Sequence, residues 1–168
     1  MMTDQDFSEF VEDMMNGDIT LRAASLEALW QRPTGDKRFL PYLEQLLHDK
    51  TPCVLGLPYV FGEIRWLAAQ ALAAEREVLG ITKPVRLQNV VKPIYTAGIS
   101  QAEQAAGVEF KWGVEGVLEN LAILRDMGYL PMCELNLSPS PKSSLVAAPS
   151  PTPVEQRPRQ LELVPALT

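Results

Sequence analysis

The chain has few of the residue types from which catalytic and metal sites are built. His48 is its only histidine, and its two cysteines, Cys53 and Cys133, lie far apart without a CxxC pair. A Cys–His nucleophile needs a held histidine beside the thiol, and a metal site needs more His, Cys or clustered carboxylates. Neither a glycine-rich phosphate loop nor a G-x-S-x-G elbow occurs. We therefore expect no enzyme activity, no cofactor and no metal.

Basic charge is missing from the beginning of the chain, where six acidic residues precede the first basic residue, Arg22. The net charge is −6, and a field of this sign repels phosphate backbones and anionic lipids. Long apolar runs are also missing, since none approaches the ~18 residues of a membrane span. The acidic N-terminus does not resemble a signal peptide, and two separate thiols are more typical of a reducing compartment than one disulfide is. We expect a cytoplasmic protein that binds no nucleic acid and does not insert into membranes.

Helical periodicity is present through most of the remaining sequence. Apolar residues recur at the spacing of one helical face, and this predicts helices over residues 4–15, 19–30, 36–48, 62–79 and 112–127. Leu87, Val90, Val91 and Ile94 keep helical spacing as well. No segment is predicted to be a strand, so the expected fold is all-α.

Two of these helices repeat each other. Residues 20–29, TLRAASLEAL, align without gaps on residues 63–72, EIRWLAAQAL, at an offset of 43. The second copy follows Leu46-Leu47-His48-Asp49. An apolar helix ending in Leu-Leu-x-Asp, a turn, and then Val/Ile-Arg-x-x-Ala-x-x-Ala-Leu resembles HEAT-like repeats, and this resemblance covers about residues 5–80.

The resemblance implies a short right-handed α-solenoid of HEAT-like helix pairs in a domain of residues 1–137. The repeats would be residues 5–31 and 36–80, followed by a degenerate third helical unit at 82–130. In this family the matched arginine pairs with an acid of the adjacent turn. Carried over to this chain, Arg22 and Arg65 would form a structural ladder with Asp18 and Asp49.

The second copy departs from the family at its turn, which is ten residues longer than that of the first copy. The extra residues, 52–61, are mostly apolar, whereas a turn is usually polar. The insert either folds back to cap the solenoid or offers a surface to a protein partner or a small apolar ligand, and one reading does not exclude the other. The predicted partner-binding residues here are Val54, Leu55, Leu57, Tyr59, Phe61, Arg65 and Trp66.

The composition changes at residue 138, because half of the 14 prolines lie in residues 138–168. Such a segment is expected to be disordered. It ends in RPRQLELVPALT, residues 157–168, where Leu161, Leu163 and Val164 form a candidate docking motif. The alternative is an ordinary end of a low-complexity tail.

These features predict a non-enzymatic adaptor or assembly factor that binds another protein through a helical groove, the insert and the tail. HEAT-like repeats also occur in the lyase subunits that attach bilins to phycobiliproteins. A subunit that assists chromophore attachment is therefore one alternative, and a small inhibitor or immunity-type protein is another.

Overall fold

The computed structural model describes residues 2–139, which form six α-helices and five β-strands. A single 3-10 turn, Lys37–Phe39, precedes α3. The helices are α1 Asp4–Asn16, α2 Ile19–Gln31, α3 Leu40–Leu46, α4 Ile64–Val78, α5 Thr96–Ala106 and α6 Gly113–Asp126. The strands are β1 Pro52–Gly56, β2 Val60–Glu63, β3 Val85–Val91, β4 Ile94–Tyr95 and β5 Met132–Leu137.

These strands show that the prediction of an all-α solenoid is wrong, since residues 2–139 combine helices with two sheets. The insert is a β-hairpin made by β1 and β2. The supposed third helical unit, 82–130, begins with β3 and β4 before it becomes helical. Short β-branched runs such as Val90-Val91 pack well on a pleated surface, and here they belong to strands.

Both sheets are antiparallel. One has the strand order β1-β2-β4, and the other consists of β3 and β5. The pairing of β3 with β5 shifts between Leu87 and Val90, so Gln88 and Asn89 form a bulge. Asn89 has φ 52°, in the left-handed region that asparagine tolerates better than most residues. The bulge turns the carbonyls of both residues toward Arg65, which donates hydrogen bonds to them.

The helical half forms the first of two cores. Asp18 caps α2 by accepting a hydrogen bond from the amide of Leu21 at 2.8 Å. The buried alanines of α4, Ala68, Ala69 and Ala71, allow its neighbours to approach closely. Helices α2 and α3 both pack against α4. Strands β3 and β5 cover the same core, which contains Val85, Leu87 and Val90.

A second, smaller core joins the hairpin to α5 and α6 through Phe61, Ile99, Leu121 and Leu124. The hairpin separates the two cores, because alternate residues of a strand point to opposite faces. Cys53 and Leu55 belong to the first core, whereas Val54 and Phe61 belong to the second. The inner part of the insert is therefore structural.

The predicted tail lies outside the described residues except for Ser138 and Pro139, and so does the predicted docking motif with Leu161, Leu163 and Val164. Within the described chain, no helix combines the length and the apolar character that crossing a bilayer requires.

Candidate binding cleft

A cleft of about 730 Å³ opens between α2, the tip of the β1–β2 hairpin and the first turns of α6. Most of its lining side chains are apolar or small. The lining residues are Ile19, Thr20, Ala23, Ala24 and Glu27 of α2; Val54, Gly56, Leu57 and Tyr59 of the hairpin; and Val114, Glu115 and Leu118 of α6.

Small side chains on α2 leave the space for this cleft. In the alignment of α2 with α4, Ala23 and Ala24 stand where α4 has Trp66 and Leu67. The larger pair fills space, since Leu67 is fully buried and Trp66 packs against the first core. The alanines of α2 do not reach across to α6. Helix α2 therefore forms one wall of the cleft.

The hairpin tip carries large apolar side chains that remain in water. Leu57 is 81% exposed and Tyr59 is 50% exposed, and the Tyr59 ring stacks on that of Phe61 with centroids 6.1 Å apart. On the opposite side, Val114 of α6 is 37% exposed and lines the cleft. Isolated exposed apolar residues are ordinary, but several around one concave surface are typical of binding sites.

The charges of the cleft have one sign. Glu27 and Glu115 are the charged residues of the described lining, which contains no lysine or arginine. Glu27 Oε1 accepts a hydrogen bond from Gln31 at 2.8 Å. Neither carboxylate belongs to an ion pair within residues 2–139. A ligand with a basic group next to apolar groups would complement this lining.

The seven partner-binding residues predicted in and near the insert have different positions. Val54, Leu57 and Tyr59 line the cleft. Leu55 instead packs against the first core, and Phe61 is buried in the second. Leu55 and Phe61 face the cores because the insert forms strands rather than a loop.

The other two predicted residues lie on α4. Arg65 is buried, and the half-buried Trp66 packs against the first core. Like Leu55 and Phe61, neither of these two residues lines the cleft.

Arg65 belongs to a buried charge network centred on Glu63, the last residue of β2, which is fully buried. Arg65 Nε donates to Glu63 Oε2 at 2.7 Å, and Arg125 Nη1 donates to Glu63 Oε1 at 3.0 Å. The amide of Val91 donates to the same carboxylate at 3.2 Å. Glu63 thus connects α4, β3 and α6, and it has no free oxygen to offer a ligand.

The predicted ladder has a different form from the one that the resemblance implies. Arg22 pairs with Asp49 and also donates to the carbonyl of Met14, whereas Asp18 serves as the cap of α2. Burial opposes ionisation of Asp49, but hydrogen bonds from Arg22 and Thr51 outweigh it and lower the pKa of this carboxyl. Arg65 does not pair with the Asp49 side chain, because Glu63 at the end of β2 lies beside it.

The Cys53 thiol is fully buried in the first core. Burial raises the pKa of the Cys53 thiol to about 12, which keeps it protonated and unreactive. His48 lies in a second groove, of about 560 Å³, that is also lined by Lys83 and Arg86. Within residues 2–139, no three His, Cys, Asp or Glu side chains are placed to hold a metal ion.

Sequence reasoning missed the α2 and α6 walls of the cleft. Ala24, Val114 and Leu118 are not among the predicted site residues. One signal was available. Ala24 occupies a position that is a large leucine in the other repeat. The α6 wall comes from a distant part of the chain, so no local pattern marks it.

No family model, curated protein or solved structure matches the chain. The resemblance to HEAT-like repeats therefore stays a prediction, and the cleft itself provides the basis for a functional proposal.

Proposed function

We propose that this chain is a non-enzymatic protein-binding module and that its cleft takes an extended polypeptide segment. The segment has apolar side chains next to at least one basic residue. The observation that carries the proposal is the combination of exposed Leu57 and Tyr59 with Glu27 and Glu115 around one apolar cleft. The basic residue would pair with the carboxylates, while apolar side chains cover the hairpin tip.

The open form of the cleft favours a polypeptide over a small apolar ligand. Sites for small ligands have volumes of about 300–1,000 Å³ and bury some 70–90% of the ligand surface. The volume of this cleft is in that range, but Leu57 at 81% exposed leaves one side open. A polypeptide covers such a surface by extending past it.

The edge position of β1 also favours an extended partner. β1 pairs only with β2 in its sheet, and its residues Val54 and Gly56 line the cleft. An edge strand has backbone groups on one side without a partner in the sheet, and these groups can pair with an added strand. Backbone pairing would supply affinity, and the apolar lining would supply selectivity.

We propose a cytoplasmic adaptor or assembly role for this binding. The free thiols of Cys53 and Cys133 are in keeping with a reducing compartment. Covering Leu57 would contribute about 1.5–3 kcal/mol, while each exposed ion pair would add only about 0.2–1 kcal/mol. Apolar contacts should therefore set the affinity and the carboxylates the choice of partner.

Binding of three labelled peptides to the full chain, measured by fluorescence anisotropy, tests this proposal. One peptide is basic and apolar, the second is acidic and apolar, and the third is basic and polar. We expect the first to bind most tightly. Leu57→Ser should weaken its binding about tenfold or more, from the lost apolar burial.

Tyr95→Ser is the matched control, since Tyr95 is 60% exposed but does not line the cleft. Equal weakening by the two substitutions, or equal binding of all three peptides, would contradict the proposal. A linear tetrapyrrole whose absorbance band shifts with the wild-type chain but not with the Leu57→Ser chain would favour the chromophore-binding alternative instead.

A further inference from the structure

The last twelve residues of this chain have the chemistry that the cleft is proposed to bind. In RPRQLELVPALT, Arg157 and Arg159 lie before the apolar residues Leu161, Leu163 and Val164, with Gln160 between the two groups and Glu162 between the two leucines. We propose that residues 157–168 occupy the cleft of the same chain and compete there with a partner. This inference rests on the proposed function, because it assigns a second, internal ligand to the same site.

Charge is the first argument for this occupant. The cleft has two carboxylates and no basic residue, so its lining attracts a basic segment. The chain as a whole has a net charge of −6, whereas residues 140–168 contain three basic and two acidic residues. Two of those basic residues, Arg157 and Arg159, stand next to the apolar cluster, where they can face Glu27 and Glu115.

Apolar complementarity is the second argument. The cleft exposes aliphatic and aromatic surface at Leu57, Tyr59 and Val114. Leu161 and Leu163 are two residues apart, the spacing at which side chains of an extended segment lie on one side. Such a segment placed along β1 would turn both leucines toward the same wall.

The length of chain outside the described structure permits this docking. Pro139 is the last described residue, and 17 residues separate it from Arg157. At ~3.3 Å per residue they span up to about 55 Å, whereas a domain of this size has a radius of gyration of about 14 Å. The segment can therefore reach the cleft wherever the tail leaves the domain.

A tethered ligand can compete even when it binds weakly. A short tether gives an effective concentration on the order of 1 mM. If the free segment bound with a Kd of about 0.1 mM, the tethered one would occupy about nine-tenths of the clefts. A partner would then bind about tenfold more weakly than it does to an empty cleft.

The first test measures that competition with the basic and apolar peptide as the probe. We expect it to bind about tenfold more tightly to the full chain carrying Leu161→Ser, Leu163→Ser and Val164→Ser than to the wild-type chain. The matched control carries Leu145→Ser and Val146→Ser, which remove apolar residues elsewhere in the same tail. Unchanged affinity in the first variant, or an equal gain in the control, would overturn the inference.

Charge reversal supplies the second test. Glu27→Lys with Glu115→Lys should release residues 157–168 and reduce their protection from limited proteolysis about fivefold. Adding Arg157→Glu and Arg159→Glu should restore it. Glu9→Lys with Asp13→Lys is the control on the exposed acids of α1. If the control released the segment equally, the tail would be held by the general acidic field and not by the cleft.

A photo-cross-linking residue in place of Thr20, an exposed residue of the lining, locates the occupant directly. We expect a cross-link to residues 157–168 within one chain at every dilution, and none from position 104, which is exposed on α5. Cross-links only between two chains would overturn docking within one chain in favour of docking between copies.

Failure of this inference can be distinguished from failure of the proposed function. Suppose that the variant with Leu161→Ser, Leu163→Ser and Val164→Ser binds the basic and apolar peptide, and that adding Leu57→Ser weakens this binding. The cleft is then a binding site. A synthetic peptide of residues 155–168 that then does not bind would refute the tail as its ligand. If neither peptide binds the cleft, the proposed function itself is wrong.

Discussion

Two arginines at matched positions of the repeated helices have different environments. Arg22 of α2 pairs with Asp49 and the carbonyl of Met14. Arg65 of α4 pairs with Glu63 and donates to the carbonyls of the β3 bulge. The Asp49 side chain is 23% exposed, whereas that of Glu63 is fully buried. One sequence pattern has produced a half-buried pair in one copy and a buried network in the other.

The end of the hairpin accounts for this difference. Asp49 keeps a contact with the second copy through its carbonyl, which accepts a hydrogen bond from the Arg65 amide at 3.0 Å. Its side chain is turned to Arg22, and the hairpin places Glu63 beside the Arg65 guanidinium instead. A motif thus specifies a charge at a helix position, while the surrounding chain decides which acid neutralises it.

The largest expected effect is that of Glu63→Gln. This substitution leaves the buried guanidinium group of Arg65 without its carboxylate, and Arg125 keeps only its pair with Asp126. Removing one partner of a buried ion pair typically costs about 3–5 kcal/mol. Urea denaturation of the full chain measures the loss. Glu119→Gln is the control, since Glu119 pairs with Lys111 at the surface, and an equal loss there would show that Glu63 has no special role.

A smaller loss is expected from Asp49→Asn. Arg22 keeps its hydrogen bond to Met14 and some contact with water in this variant. The cost should be about 2 kcal/mol, as for a hydrogen bond to a charged group. The same urea titration gives the value. A loss as large as that of Glu63→Gln would mean that the two arginines depend equally on their acids.

Asn89 lies in the β3 bulge, whose carbonyls accept hydrogen bonds from Arg65. Substitutions of Asn89 therefore test how much this bulge contributes to stability. A β-branched residue is strained at φ 52°, so Asn89→Val should cost about 1–2 kcal/mol. Asn89→Gly should cost less, because glycine adopts this conformation freely. Thermal unfolding of the two variants provides the comparison. If glycine were as costly as valine, the side chain of Asn89 and not its backbone conformation would matter.

The smallest effect is the pH dependence of the Arg22 pair. The pKa of Asp49 is lowered in the folded chain. Its contribution to the free energy of unfolding is therefore complete above the pKa of aspartate in the unfolded chain, about 3.9. It is lost as the pH falls through the folded value. The stability difference between the wild-type chain and Asp49→Asn should therefore be constant from pH 7 to 5 and narrow below about pH 4. A constant difference at pH 3 would contradict an ionised Asp49 as the source.

Local periodicity predicted the helices better than the strands. Helices α1, α2, α4 and α6 begin and end close to their predicted bounds, because each has one apolar stripe and a clear stop. β3 was read as helical for a physical reason. In a regular strand, inward-facing residues are two positions apart. The bulge inserts one residue between Leu87 and Val90, so these two apolar residues are three positions apart, which is also the spacing on one face of a helix.

The candidate site was only partly predictable. The insert stood out because an apolar turn between packed helices is unusual, and this led to Val54, Leu57 and Tyr59. Its hairpin was missed, although a run rich in Val, Tyr and Phe around a turn with Gly56 and Pro58 is typical of paired strands. Val114 and Leu118 face the cleft because α6 packs beside β1, and such long-range packing is not encoded locally.

The pairing of β3 with β5 has a consequence for synthesis. β3 ends at Val91, and its partner begins at Met132, after α5 and α6 have been made. Until residues 132–137 leave the ribosome, the growing chain presents the edge of β3 without its partner strand. Such edges recruit other chains. A nascent chain that stalls between these two strands is therefore more prone to aggregation than one that stalls before β3.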